Sequence, residues 1–236
     1  LTAIVTAGGK GIRLPGEVRK QYLEFGGKPL LALVIGLFVA FDPVDQIVVT
    51  VPAEDIPMVK DMIRRIYQQN ASLIRVIAGG LTRQESVHNA LRICPSETGY
   101  VMIHDGVRPF VTTGLLRELY RKVKRYKAVI PVTEAKYTIK EVEKTRVVRT
   151  LDRNRLVQVN TPQAFTYQLI RSCYDRASTD RVAFTDDASV VEFYGHPVYT
   201  VSDSGVNIKL TTAIDLAIME VMFTLFDEVD SNENTR

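Results

Sequence analysis

The segment Ala7-Gly8-Gly9-Lys10-Gly11-Ile12-Arg13 follows directly on an apolar run and combines clustered glycines with two cations. Glycines carry no Cβ, so backbone N–H groups there can approach phosphate oxygens and cradle an anion. The spacing fits neither the P-loop, which needs Lys-Ser/Thr after its last glycine, nor the G-x-G-x-x-G dinucleotide fingerprint. A tight strand-to-helix turn is an equally weighted use of the glycines alone. Arg13, and Lys20 within Arg19-Lys20-Gln21-Tyr22, shift the balance towards phosphate. A planar donor fork and a mobile point charge suit a polyphosphate whose charge moves during reaction.

A second glycine cluster lies in Ala78-Gly79-Gly80-Leu81-Thr82-Arg83-Gln84-Glu85-Ser86. Its backbone groups and Ser86 can clasp a nucleobase, while Thr82 and Glu85 have capping-box spacing; both uses stay open. Ile103-His104-Asp105-Gly106-Val107-Arg108-Pro109 ends an apolar run in charge. A carboxylate at the carboxyl end of a strand suits ribose hydroxyls, or a Mg²⁺ bridging phosphates, or a local salt bridge between Asp105 and Arg108. His104, His88 and His196 read as packed, hydrogen-bonded histidines rather than bases. Late in the chain, Thr185, Asp186 or Asp187 suits the cap of a helix through Val190 to Phe193. Lys209, in what reads as an apolar strand, calls for a nearby anion.

In this order, A-G-G-K-G-I-R, K-Q-Y-L, G-G-x-x-R-x-x-S, H-D-G-V-R-P, T-I-K, D-R-N, T-P-Q-A-F, T-D-D-A-S and N-I-K-L-T-T resemble the 2-C-methyl-D-erythritol 4-phosphate cytidylyltransferases over nearly the whole chain. The resemblance implies that Ala7, Gly8, Gly80 and Ser86 surround cytosine and that Gly9, Asp105 and Gly106 hold the ribose, with Gly11 and Arg83 in the same nucleotide-binding set. It implies that Arg13, Lys20 and Lys209 hold the triphosphate and the reaction centre. Arg108, Thr161 and Thr185 would face the sugar phosphate, with Thr138 and Arg153 reaching in from a partner subunit. Mg²⁺ would enter chiefly on the CTP phosphates, with no metal site of the protein's own. Val107 and the Gly8-Gly9-Lys10-Gly11 loop are also similar to the ribitol-5-phosphate cytidylyltransferases, whereas Thr185-Asp186-Asp187-Ala188-Ser189 favours the erythritol family.

The chemistry so implied is in-line attack by a substrate phosphate on the α-phosphorus of CTP, with pyrophosphate leaving. A phosphate whose second pKa is about 6 is already ionised at neutral pH, so no general base is needed. A regulatory nucleotide-binding module that turns nothing over would have no use for all three cations. A dinucleotide-dependent oxidoreductase lacks its fingerprint.

These residues need elements that bring them together. Leu1–Thr6, Gln46–Val51, Leu73–Ala78, Tyr100–Ile103 and Ala128–Val132 read as strands; Glu54–Gln69, Glu85–Ile93 and Gly114–Tyr126 read as helices between them. That alternation predicts a Rossmann-like α/β fold, a mostly parallel sheet with helices on both faces and ligands at the strands' carboxyl ends. Lys136–Arg153 changes to hairpin periodicity and predicts a projecting arm that packs on a second copy, giving a homodimer. One nucleotidyltransferase domain is expected over residues 1–226, with Asp227–Arg236 as a frayed, flexible tail.

The 236 residues are 46% hydrophobic and 24% charged, with net charge +3, which describes a globular protein and excludes a disordered one. No basic cluster interleaves with aromatics, so nucleic acid is not an expected partner. Pro29–Phe41 is too short to span a bilayer, which needs about 20 apolar residues, and reads as a buried helix. Cys94 and Cys173 have no metal-ligand spacing and read as free thiols of a reducing compartment. With no charged leader ahead of an apolar run, a cytoplasmic location is expected.

Overall fold

The computed structural model describes residues 1–9 and 18–233. In chain order its elements are β1 (Thr2–Thr6), β2 (Glu24–Phe25), β3 (Lys28–Pro29), α1 (Leu30–Val39), β4 (Gln46–Val51), α2 (Ile56–Ile66), β5 (Ile74–Ala78), α3 (Arg83–Ile93), β6 (Tyr100–Asp105) and α4 (Thr113–Tyr126). They continue with β7 (Ala128–Glu134), β8 (Ile139–Glu143), β9 (Arg146–Leu151), β10 (Val157–Val159), β11 (Gln163–Thr166), α5 (Tyr167–Asp180), α6 (Asp187–Phe193), β12 (Tyr199–Ser202) and α7 (Ala213–Glu233).

Eight described strands form one sheet. β5, β4, β1 and β6 lie side by side and parallel, as apolar runs joined by helical crossovers must. Side chains alternate across it: Ala3 and Val5 join α1, α2 and α4 in one apolar cluster, while Ile4 joins α3, α5 and α6 in another. A buried Ile, Leu or Phe in such a layer contributes roughly 1.5–3 kcal/mol. This is the expected Rossmann-like α/β architecture. Its strand order turns back at β1, which has β4 on one side and β6 on the other, and ligands gather where that happens.

The far half of the sheet departs from the parallel pattern. β11 inserts antiparallel between β6 and β7, β10 continues along the same edge of β7, and β12 pairs parallel with β7. These strands are three or four residues long, too short for periodicity to reveal. They hold Asn160-Thr161-Pro162 against the end of β6.

Three expectations need correction. Asn207–Thr211 is not a strand: its Leu210 N–H donates to the Val107 carbonyl at 3.0 Å and no ladder forms. Leu210 instead fills a third apolar cluster with Phe25, Leu30, Val107, Phe110 and Met219. Second, α7 runs to Glu233, past Asp227 where the tail was expected; each residue added to an existing helix gains a backbone hydrogen bond. Third, the expected helix from Glu54 is divided, with a 3-10 turn at Ala53–Asp55, α2 itself, and a second 3-10 stretch at Gln68–Leu73. Pro57 near the start of α2 suits an N-terminus and not a helix interior.

The predicted hairpin is present as β8 and β9, a separate two-stranded sheet with nearly every residue exposed. Among the described residues no helix is long and apolar enough to cross a membrane.

Candidate active site

The parallel register sets Thr6 beside both Thr50 and Asp105, so the chain leaving β1 emerges between the ends of β4 and β6. There a cleft of about 990 Å³ is lined by Ala7, Gly8, Gly9, Lys20, Gly79, Gly80, Arg83, Ser86, Asp105, Val107 and Lys209, among others. Nine of the residues anticipated from sequence thus meet in one place: Ala7, Gly8, Gly9, Lys20, Gly80, Arg83, Ser86, Asp105 and Lys209. Gly106 and Arg108 flank it. Gly11 and Arg13 lie outside the described residues.

The glycine loops are held by backbone bonds. Ala7 N–H donates to Thr50 O at 2.8 Å, and the buried Gln21 side chain donates to Ala7 O at 2.9 Å. Gly79 N–H donates to Val51 O at 2.8 Å. Close approach favours glycine in the Gly79-Gly80 loop and at the end of β6. A Cβ on Gly80 would stand 2.2 Å from Glu85 Cβ, and one on Gly106 would press on Ala7, Thr6 and Leu31 at 3.1–3.2 Å. A Cβ on Gly8 would lie 3.7 Å from Ser86 Oγ, so the two glycine segments face each other. Both readings of Ser86 meet here. The Thr82–Glu85 capping box forms, and Ser86 Oγ donates to Thr82 O at 2.9 Å while accepting from Gly80 N–H at 3.0 Å. Ser86 therefore shapes the loop from one turn inside α3.

Asp105 is the electrostatic centre. It is 6% exposed, and its carboxylate meets Arg83 Nε at 3.1 Å, Lys209 Nζ at 2.9 Å and Arg108 Nε at 3.3 Å. Burial pushes its pKa up, but the charges of Arg83, Lys209 and Arg108 outweigh that and hold it well below the usual carboxylate range. The anion that Lys209 required is thus found, and the anticipated Asp105–Arg108 bridge is one of three. Arg83 was expected to contact the nucleotide. It lines the cleft and gives Nε to Asp105 and both terminal nitrogens to Asp187, at 3.0 and 2.8 Å. The guanidinium thus joins two carboxylates.

Behind Asp105, Thr161 accepts from the Asp105 N–H at 3.2 Å, and its oxygen lies 2.8 Å from His104 Nδ1. His104 Nε2 reaches Arg108 O, a pure acceptor, at 3.0 Å. The proton therefore sits on Nε2, and Nδ1 accepts from the Thr161 hydroxyl. Burial pushes the His104 pKa down to about 4, so the ring is neutral, both nitrogens are engaged, and it is the packed histidine expected. The Thr161 hydroxyl, which the resemblance assigns to the sugar phosphate, takes part in this internal chain. Arg108 also donates to Asn160 Oδ1 at 3.2 Å and Asn207 O at 2.9 Å.

Lys20, on a 3-10 turn over Lys20–Tyr22, donates to Leu210 O at 3.0 Å. That bond draws its ammonium to the segment bearing Lys209. Two cations, two glycine loops and a fixed carboxylate around one cleft can hold a polyanion, with its charge spread over several donors. Among the described residues no group of three or more His, Cys, Asp or Glu could hold a metal ion.

Thr185 is exposed just ahead of α6, where Asp186 is the cap in a box with Ser189. Thr138 and Arg153 are exposed at the base of the arm and do not line the cleft of their own chain. The sequence reading missed Asp187 and Tyr174, whose hydroxyl donates to Asp187 at 2.5 Å, and Gln163, which bonds Asp186 and the Ala188 N–H at 2.8 and 2.9 Å. Adjacent aspartates at a helix start were the available signal, and capping accounts for only one of them.

A family model described as IspD, 2-C-methyl-D-erythritol 4-phosphate cytidylyltransferase, matches residues 1–225. A protein of that name from Phocaeicola vulgatus is 42% identical over 220 residues, covering 93% of this chain and 97% of its own. One from Syntrophus aciditrophicus is 40% identical over 221 residues, 93% of this chain and 94% of its own. The crystal structure of 4-diphosphocytidyl-2C-methyl-D-erythritol synthase from Anaerococcus prevotii is similar with TM-score 0.84 at 28% identity, over 94% of this chain and 97% of that one. The 2-C-methyl-D-erythritol 4-phosphate cytidylyltransferase of Thermus thermophilus gives 0.76 at 26% identity, over 93% and 96%.

Proposed function

The chain belongs to the 2-C-methyl-D-erythritol 4-phosphate cytidylyltransferase family, and from that premise we propose how its cleft carries out the transfer. The enzyme is a nucleotidyltransferase of isoprenoid precursor synthesis: it moves CMP from CTP to 2-C-methyl-D-erythritol 4-phosphate and releases pyrophosphate. The observation that carries the site assignment is the convergence of Lys20, Lys209 and Asp105 with both glycine loops around one cleft. All the relatives and structures named above bear the methylerythritol name, which favours that acceptor over ribitol 5-phosphate.

Ala7, Gly8, Gly80 and Ser86 receive the cytosine, and Gly9, Asp105 and Gly106 receive the ribose. Lys20 and Lys209, with Arg13, bind the triphosphate and offset charge building on the α-phosphate and the leaving pyrophosphate. The acceptor phosphate attacks as an ionised group, so the neutral, engaged His104 fits a reaction that needs no protein base. Mg²⁺ suits this site as a passenger on the CTP phosphates, since Asp105, the buried carboxylate of the cleft, is already matched by three cations. When bound it supplies further charge neutralisation at the phosphates.

Arg108 and Thr185 serve the acceptor side from within the chain, and Thr138 and Arg153 from the arm of a second copy. Support comes from the exposed Val142, Val147 and Val148 on a hairpin that has no core of its own, since isolated hairpins are marginal in water. The working enzyme is therefore a homodimer. The buried free thiols Cys94 and Cys173 suit a reducing cytoplasm.

Pyrophosphate release with CTP, UTP and ATP tests the nucleotide assignment. Turnover is expected with CTP by a wide margin; a preference for ATP would contradict the cytosine role of the glycine loops.

A further inference from the structure

Asp187 is completely buried at the start of α6, and the helix cap does not need it, because Asp186 and Ser189 supply the capping box. Arg83 opens α3, whose cap is likewise complete in Thr82 and Glu85. A buried charge pair is costly to desolvate and is weak grounds for stability by itself. What the pair achieves is geometric. Both terminal nitrogens of Arg83 are clamped by Asp187, at 3.0 and 2.8 Å, which aims its Nε at Asp105, 3.1 Å away. Asp105 in turn holds Lys209 at 2.9 Å. Tyr174 closes the far end, its hydroxyl on Asp187 at 2.5 Å.

We propose that Asp187 is a positioning residue for the reaction: through Arg83 it fixes Asp105 and Lys209, and it ties the base-loop helix α3 to α6, which begins beside Thr185. The inference rests on the reading of this cleft as the CTP site. Without the clamp, Arg83 turns both its donors onto Asp105 or onto the incoming triphosphate, and Lys209 loses its alignment while the local positive charge is undiminished. Nucleotide binding is therefore kept and turnover is lost, a division that general loosening of the fold would not produce.

The test compares Asp187→Asn, Arg83→Lys and the double variant in the full-length enzyme, with kcat from pyrophosphate release and CTP Kd from calorimetry. Misplacement by about an ångström can cost ~10²-fold, so each single variant should lower kcat by roughly 10- to 100-fold while CTP Kd moves less than about threefold. Lysine cannot replace the two-pronged guanidinium. If the two residues act as a unit, the double variant stays within about threefold of the worse single one; effects that multiply overturn the proposal. Tyr174→Phe, which removes one hydrogen bond and keeps the ring, covers the case in which Asp187→Asn does not fold: a several-fold lower kcat at unchanged CTP Kd supports the clamp, and wild-type kcat overturns it. An Asp187→Asn enzyme with wild-type kcat also overturns it, provided the wild type is active. A wild type that releases no pyrophosphate from CTP would instead sink the functional reading.

Discussion

Lys20 Nζ donates to the Leu210 carbonyl at 3.0 Å, joining positions 190 residues apart and bringing a cation from the first loop region beside Lys209. The bond explains how two lysines from opposite ends of the chain share one cleft. It also makes the Asn207–Thr211 segment part of the cleft's frame although it belongs to no sheet.

Lys20→Ala and Lys209→Ala should each lower kcat by ~10²–10³-fold, the usual loss for one preorganised donor at a developing charge. The thermal midpoint should move by no more than a few degrees, since both side chains are partly exposed. Steady-state rates beside calorimetric melting check this, and turnover within about threefold of wild type would remove the lysine from the reaction centre.

Arg153→Ala should raise KM for the methylerythritol phosphate by about 10- to 100-fold and leave KM for CTP unchanged, because a hydrogen bond to a charged group contributes about 1.5–3 kcal/mol. Mixing inactive Lys20→Ala with Arg153→Ala under subunit exchange should restore activity, since a mixed form of the proposed homodimer would have one cleft with an intact Lys20 and an intact partner arm. A mixture no better than its components would place Arg153 outside the partner's site.

His104 titrates at about 4 in the fold because burial disfavours its charge, against about 6.5 in an unfolded chain. Between those values the unfolded state binds the extra proton, so stability should fall as pH drops from about 6.5 towards 4. Asp105 acts in a lower window. Its depressed pKa contributes stability that is complete above about 3.9 and is lost as pH falls below it. Denaturation midpoints across pH 7.5 to 4.5 should decline in wild type and flatten in His104→Gln; an identical slope in both would assign the upper window to another group.

Gly80→Ala places a methyl where Glu85 Cβ stands only 2.2 Å from the new atom, so the loop must shift. KM for CTP should rise by about tenfold or more, with a smaller effect on KM for the acceptor. Equal effects on both would show that the loop serves the whole cleft and not the base.

The parallel half of the sheet was legible because its strands are long β-branched runs separated by amphipathic helices, and register then forces Ala7, Gly80 and Asp105 to one edge. β10, β11 and β12 were not, since three or four residues cannot establish a period against turn-rich neighbours. Lys209 was found for a sound electrostatic reason in a wrongly assigned strand: its anion is Asp105, and its segment joins no ladder, with the Leu210 N–H bonding to Val107. Asp187 was hidden by its neighbour, because two adjacent aspartates before a helix read as caps and only burial distinguishes the one that caps from the one that clamps Arg83.

The central claim is the identity of the product. With CTP, 2-C-methyl-D-erythritol 4-phosphate and Mg²⁺, phosphorus NMR should follow the two substrates disappearing together as pyrophosphate and a new pair of coupled diphosphate resonances appear in equal amounts, with ribitol 5-phosphate left largely unused. Unchanged CTP, or preferential consumption of ribitol 5-phosphate, would contradict the account.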